Sequence, residues 1–126
     1  CAQVEAELAG LSDEEIKEML EGFGLSESSL DRTIKLAYDT LGLASFLTTG
    51  PKESRAWTFH KGWKAPKCAG VIHTDFEKGF IRAQVVAYED FVKYGGESGA
   101  REHGVLRPEG KEYGMKDGDV VEFMFN

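Results

Sequence analysis

The first third of the chain alternates apolar and polar residues with the period of a helix. Ser12-Asp13-Glu14-Glu15 reads as a capping box, in which the serine oxygen accepts from a first-turn amide and Glu15 reaches back to the cap. Ile16, Met19, Leu20 and Phe23 follow at i, i+3, i+4 and i+7, the spacing of one buried stripe, while Glu14, Lys17, Glu18 and Glu21 take the wet side. Gly22 and Gly24 end that helix. Serines at 26, 28 and 29 start a second one, with Leu30, Ile34, Ala37, Tyr38 and Leu41 on one face and Gly42 just beyond its end. The pattern predicts a helical hairpin over 10–43 that packs on something else.

After Gly42 the period shortens to that of strands. Residues 45–49 and 55–60 are rich in β-branched and aromatic side chains, and the 50–54 segment between them has turn chemistry, so they read as a hairpin. A helix starting at Ala65 or Pro66 carries the small apolar run Cys68–Ile72, which suits packing across a sheet. Residues 80–87 predict a third strand, 89–94 and 98–103 short helical turns, 106–114 a short strand or bent arm, and 120–125 a last strand entered through Asp117-Gly118-Asp119. That order is one of a mixed sheet gripping a helix, an α+β roll.

Charge sharpens this division. Residues 1–43 hold three basic side chains (Lys17, Arg32, Lys35) against ten acidic ones, so they carry the whole net charge of −7, and residues 44–126 sum to zero. A partner feels the local field of one face, so the second part has room for a basic surface. A chain of 126 residues is long enough for a real core. Its two cysteines, Cys1 and Cys68, lie in no metal-binding or redox spacing and read as reduced thiols of a cytoplasmic protein. No apolar run approaches a membrane span and no leader pattern opens the chain, so no membrane partner is expected.

Three kinds of chemistry can be weighed from the residues. Nucleotide hydrolysis needs a glycine-rich loop followed by Lys-Ser/Thr, and neither Gly22-Phe23-Gly24 nor Gly95-Gly96-Glu97-Ser98-Gly99 provides it. His73, Asp75 and Glu77 alternate, so in a strand they would share one face and could serve metal-assisted hydrolysis; without a fourth ligand at recognisable spacing, the plainer reading is a cap or loop network. No catalytic residue and no metal ligand is assigned. Nucleic-acid binding needs cations for phosphates and aromatic faces for bases, and Arg55, Trp57, Lys61, Trp63, Lys64 and Lys67 supply both within 13 residues. Arg55, Trp57 and Phe59 share one strand face, where Trp57 serves as either a platform or core; Trp63, among lysines beside Gly62, is harder to read as core.

Pro51 to Thr58, the long run Ala69-Gly70-Val71-Ile72-His73-Thr74-Asp75-Phe76-Glu77-Lys78-Gly79-Phe80-Ile81-Arg82-Ala83, and Asp117-Gly118-Asp119-Val120 resemble the C-terminal signature of the YchF branch of the Obg-like P-loop ATPases. The likeness covers essentially the whole chain, and His73, Asp75, Lys78 and Arg82 fall in its most specific motif. It implies a TGS domain of ubiquitin-like β-grasp fold over 44–126, a helical linker over 10–43, and the residual end of a nucleotide-binding domain over 1–9. By the same resemblance Cys1, Ala2 and Gln3 lie on the last nucleotide-binding loop, so ATP and Mg2+ belong to an upstream domain and not to these residues. The family's preference for ATP over GTP and its association with ribosomes imply a ribosome-associated regulator whose partners are rRNA or a ribosomal protein and its own ATPase domain. A protein-interaction module is the alternative. Ser54, Trp63 and Tyr113-Gly114-Met115 depart from the usual pattern, and Trp63 changes the local loop surface.

Overall fold

The computed structural model describes residues 2–50 and 53–126. It divides into two compact units, one ending at Leu41 and the other starting at Gly42.

The first unit is helical: α1 (Ala2–Leu8), α2 (Asp13–Gly22) and α3 (Ser29–Thr40). The predicted capping box is present on α2, with the Ser12 hydroxyl accepting from the Glu15 amide and the Glu15 carboxylate accepting from the Ser12 amide at 2.8 Å. Ser28 caps α3 by accepting from the Asp31 amide at 3.0 Å. Gly42, at φ 65°, takes the left-handed conformation that closes α3. The pattern did not predict α1, and its Glu5 carboxylate accepts from the Ser29 amide at 2.7 Å, tying the first helix to the start of the third. Leu8 and Leu20 are buried, but α3 buries no residue, and Leu30 and Leu41 are each 64% exposed. The stripe on α3 is apolar in sequence, with Tyr38 half-buried along it.

The second unit is an α+β fold around a five-stranded sheet of order β2-β1-β5-β3-β4. Its elements are β1 (Leu43–Thr49), β2 (Ser54–His60), α4 (Ala65–Ile72), α5 (Thr74–Lys78), β3 (Phe80–Ala87), α6 (Tyr88–Lys93), α7 (Glu97–Glu102), β4 (Arg107–Glu109) and β5 (Asp119–Phe125). Strand β1 pairs antiparallel with β2, Phe46 opposite Trp57, and parallel with the last strand, Leu47 opposite Val120. Strand β3 is antiparallel to both β5 and β4. A first hairpin, a crossing helix and a closing strand inserted beside the first is the β-grasp arrangement. Part of the β1–β2 turn, Pro51 and Lys52, lies outside the described residues.

Alternation along the strands splits the core between the two faces of the sheet. One face carries Ala44, Phe46, Phe59, Ala83, Val85, Val121 and Phe123 against Ala65, Cys68 and Ala69 of α4. Phe46 is fully buried, with its ring centroid 5.9 Å from Phe59 and 5.7 Å from Phe123. The other face carries Val86 and Val120 under Ala100, with Leu47, Phe91, Val105 and Leu106 at its margin. Gly99 makes the α6–α7 corner possible, because a Cβ there would sit 1.8 Å from the Tyr94 carbonyl oxygen.

The alternation read at 73–77 does not form a strand. His73 is extended and caps α5, its Nδ1 accepting from the Asp75 amide at 3.2 Å, and Asp75 and Glu77 lie on a helix, where a two-residue step turns a side chain by about 200°. Glu77 instead leans on α4, its carboxylate oxygen 2.4 Å from where a Gly70 Cβ would stand.

Candidate functional site

Chemistry in the second unit gathers around the loop from β2 to α4. Residues 54–74 contain no acidic side chain, while Arg55, Lys61, Lys64 and Lys67 all fall within them. The loop is held on both sides by backbone bonds. Trp63 donates to the His60 carbonyl at 3.1 Å, its own carbonyl accepts from Met115 at 3.0 Å, and Ala65 donates to the Tyr113 carbonyl at 2.9 Å. Lys64 forms an isolated bridge with Gly114, so the far segment 110–115 becomes the second wall of the site.

The result is an open cleft of about 490 Å3 lined by Gly62, Trp63, Lys64, Pro66, Lys67, Glu77, Lys111 and Glu112. The Lys67 ammonium stands 4.1 Å from the Trp63 ring centroid, and the His60 ring lies 5.2 Å away, tilted by 46°. Lys64 pairs with Glu112, both side chains being largely exposed. Trp63 is half-buried and packs against the core cluster, so one part of the indole is structural and the rest faces the cleft.

The six predicted contact residues do not form one surface. Arg55 stacks on Trp57 at 4.3 Å, and the Trp57 indole N–H donates to the Thr48 hydroxyl at 2.9 Å while its ring packs on the core. That pair lies apart from the residues lining the Trp63 cleft. Phe59, on the same face of β2, is in the core, Trp57 is half-buried and Arg55 is exposed, so that face runs from interior to surface along the strand. Lys61 is exposed beside Gly62, with its backbone amide bonded to the Gly42 carbonyl at 2.8 Å. Lys111, missed in the sequence, joins the site only because the 110–115 segment folds back.

The residues of the long motif serve several ends. His73 caps α5; Asp75 is exposed 3.5 Å from that ring; Lys78 sits in the last turn of α5; and the Arg82 Nε donates to the Met124 sulfur at 3.1 Å. Among the described residues no three His, Cys, Asp or Glu side chains are placed to hold a metal, and the shared face proposed for His73, Asp75 and Glu77 is not formed. Ala2 and Gln3 lie in α1, where the Gln3 amide donates to Glu7 at 3.4 Å, and Cys1 lies outside the described residues. No helix among the described residues is long and apolar enough to cross a membrane.

Two buried groups behind the cleft stiffen its second wall. Asp119, 3% exposed, accepts from the Tyr113 hydroxyl at 2.8 Å and from the Lys116 amide at 2.9 Å. Burial first, then the bond to Asp119, pushes the Tyr113 hydroxyl up to about 12. Burial and the same Asp119 charge push the Cys68 thiol up to about 12, too high for a nucleophile at neutral pH. A separate apolar groove of about 240 Å3 runs beside the edge strand β2, between Leu47, Ala56, Tyr88 and Phe91.

Comparison with known proteins places these features. The family model described as YchF-GTPase_C, protein of unknown function (DUF933), matches residues 43–126. The chain is 57% identical over 126 residues to the ribosome-binding ATPase YchF of Bacillus subtilis (strain 168), covering 100% of this chain and 34% of that protein. It is 55% identical to the ribosome-binding ATPase YchF of Escherichia coli O157:H7, covering 100% of this chain and 35% of that one. The solved Schizosaccharomyces pombe YchF GTPase superposes with a TM-score of 0.78 at 38% identity, over 94% of this chain and 31% of that chain. The chain thus spans about a third of the length of the curated relatives it matches.

Proposed function

Because the chain belongs to the YchF family, whose C-terminal region its residues 43–126 match, we propose that it is the ribosome-docking part of an Obg-like ATPase. The observation that carries this reading is the acid-free stretch 54–74 with its Trp63 cleft, to which Lys64, Lys67 and Lys111 contribute, on a chain similar throughout to proteins named ribosome-binding ATPases. The β-grasp unit supplies the contact, on rRNA or a ribosomal protein. The helices before it bridge to a nucleotide-binding domain that takes ATP and Mg2+, and these 126 residues hydrolyse no nucleotide themselves. The setting is the cytoplasm.

Lysines that meet phosphates release counterions, so affinity falls steeply with salt. Co-sedimentation of the chain with ribosomes should therefore weaken on the order of ten-fold or more between about 50 and 200 mM salt. It should fall further when Lys61, Lys64 and Lys67 are all changed to Glu. Binding indifferent to both overturns the proposal. The groove between β2 and α6, where Tyr88 is 53% exposed, favours a protein contact as the second reading. Loss of binding on Tyr88→Glu, with the triple lysine variant unaffected, selects it.

A further inference from the structure

We propose that the Trp63 cleft takes a single unpaired nucleotide of RNA, its base on the exposed part of the indole and its phosphate on Lys67 and Lys111; this rests on the ribosome-docking reading. Size is the first argument. A cleft of about 490 Å3 admits one nucleotide, whereas the bases of a duplex are stacked inside it and do not reach a ring that is half-buried in the protein.

Charge arrangement is the second argument. A groove that follows a phosphate backbone is cationic along its length, but this one is interrupted by Glu77 and Glu112, and Glu112 already holds Lys64. Carboxylates beside the indole repel phosphate and accept from the ring N–H and amino groups that bases carry on their edges. The site therefore offers both carboxylates for a base edge and cations for a phosphate, within the span of one nucleotide.

Preorganisation is the third. Backbone bonds through both the amide and the carbonyl of Trp63 hold the residue before anything binds. The Lys67 ammonium stands over the indole at the end of a long flexible stem, with the His60 ring tilted beside it. Base stacking on an indole is stronger than a single exposed cation–π contact, so a base displaces the ammonium. The freed Lys67, with three donors, swings to the phosphate that arrives with that base.

The test uses the 126-residue chain and two fluorescein-labelled RNAs, one an unstructured strand and one a blunt-ended two-strand duplex of the same length with no unpaired nucleotide, read by anisotropy. The unstructured RNA should bind on the order of ten-fold tighter; Trp63→Ala should remove that advantage, Trp63→Phe should keep most of it, and Lys67→Gln should lower the salt slope by about one. In a Trp57→Phe chain, Trp63 fluorescence should be quenched by the unstructured RNA alone, which decides the matter even if Trp63→Ala fails to fold. Equal binding of both RNAs, or no quenching, overturns the nucleotide cleft; if ribosome co-sedimentation stays salt-sensitive, the docking assignment survives that failure. Salt-insensitive co-sedimentation overturns both.

Discussion

Cys68 makes the second unit sensitive to alkali in a way that can be worked from its surroundings. The thiol is fully buried on α4, and burial, reinforced by the Asp119 charge, raises it from 9.0 to about 12, with Lys67 opposing weakly. A raised folded pKa means that the protonated thiol is favoured by the fold. Its contribution is complete below the unfolded value near 9 and is lost as pH rises from there through the folded value. Integrating the difference in bound protons gives a loss of about 2 kcal/mol at about pH 10.5, and a limit of about 4 kcal/mol at higher pH.

The perturbation is Cys68→Ala, measured by urea unfolding at about pH 8 and about pH 10.5. Both tryptophans, Trp57 and Trp63, belong to the second unit, so their fluorescence follows that unit alone. The substitution costs on the order of 1 kcal/mol of packing at either pH, which cancels in the comparison. Tyr113 is shifted in the same direction and persists in the variant, leaving a residual alkaline loss in both proteins. The expected outcome is that the variant loses about 2 kcal/mol less than the parent between the two pH values. Equal losses refute the argument and place the thiol in contact with water.

Other outcomes follow from single contacts. Phe46→Ala should cost about 3–5 kcal/mol, because a fully buried ring leaves a cavity between Phe59 and Phe123; thermal unfolding checks it. Gly99→Ala should destabilise by on the order of 1–3 kcal/mol through the clash with the Tyr94 carbonyl, whereas Gly110→Ala, where a new Cβ meets nothing within 4 Å, should be near neutral. In the first unit, bonds from Ser12 and Ser29 hold the Glu15 and Glu5 carboxyls below their usual value. Helicity by circular dichroism should thus be complete above pH 4.5 and decline as pH falls below it, and Ser12→Ala should reduce the part due to Glu15 without abolishing it, because the backbone amide at position 12 still donates.

Much of the fold was legible because its signals are local. The cap serines, Gly42 and the strand run at 80–87 act over a few residues, and the caps, the helix end and the strand are found where the pattern put them. What could not be read depended on distant partners or on length. At 73–77 the residues left a shared strand face and a cap both open, and the cap, the plainer reading, is what forms, while a five-residue helix is too short to show a period. Helix α1 is only seven residues long, too short to show a period, and of them only Leu8 is buried. The apolar stripe of α3 was visible, but its exposure is a tertiary fact. In the site, the lysines and Trp63 were visible, while Lys111 and the Lys64–Glu112 pair join residues 48 apart and needed the fold.

That division gives a last expectation about how recognition and stability are distributed. Lys64 and Lys67 are exposed, and the Lys64–Glu112 pair is a surface ion pair in high dielectric, worth at most about 1 kcal/mol. The Lys67–Trp63 contact is of the same order, about 0.5–1 kcal/mol. Changing either lysine to Gln should therefore leave the urea midpoint nearly where it was. Trp63→Ala should lower it and cut the unfolding free energy by about 2 kcal/mol or more, because part of the indole belongs to the core cluster. If Lys64→Gln or Lys67→Gln unfolds the second unit as readily as Trp63→Ala does, those side chains are parts of the scaffold, and any loss of binding in the variants then reports folding and not contact.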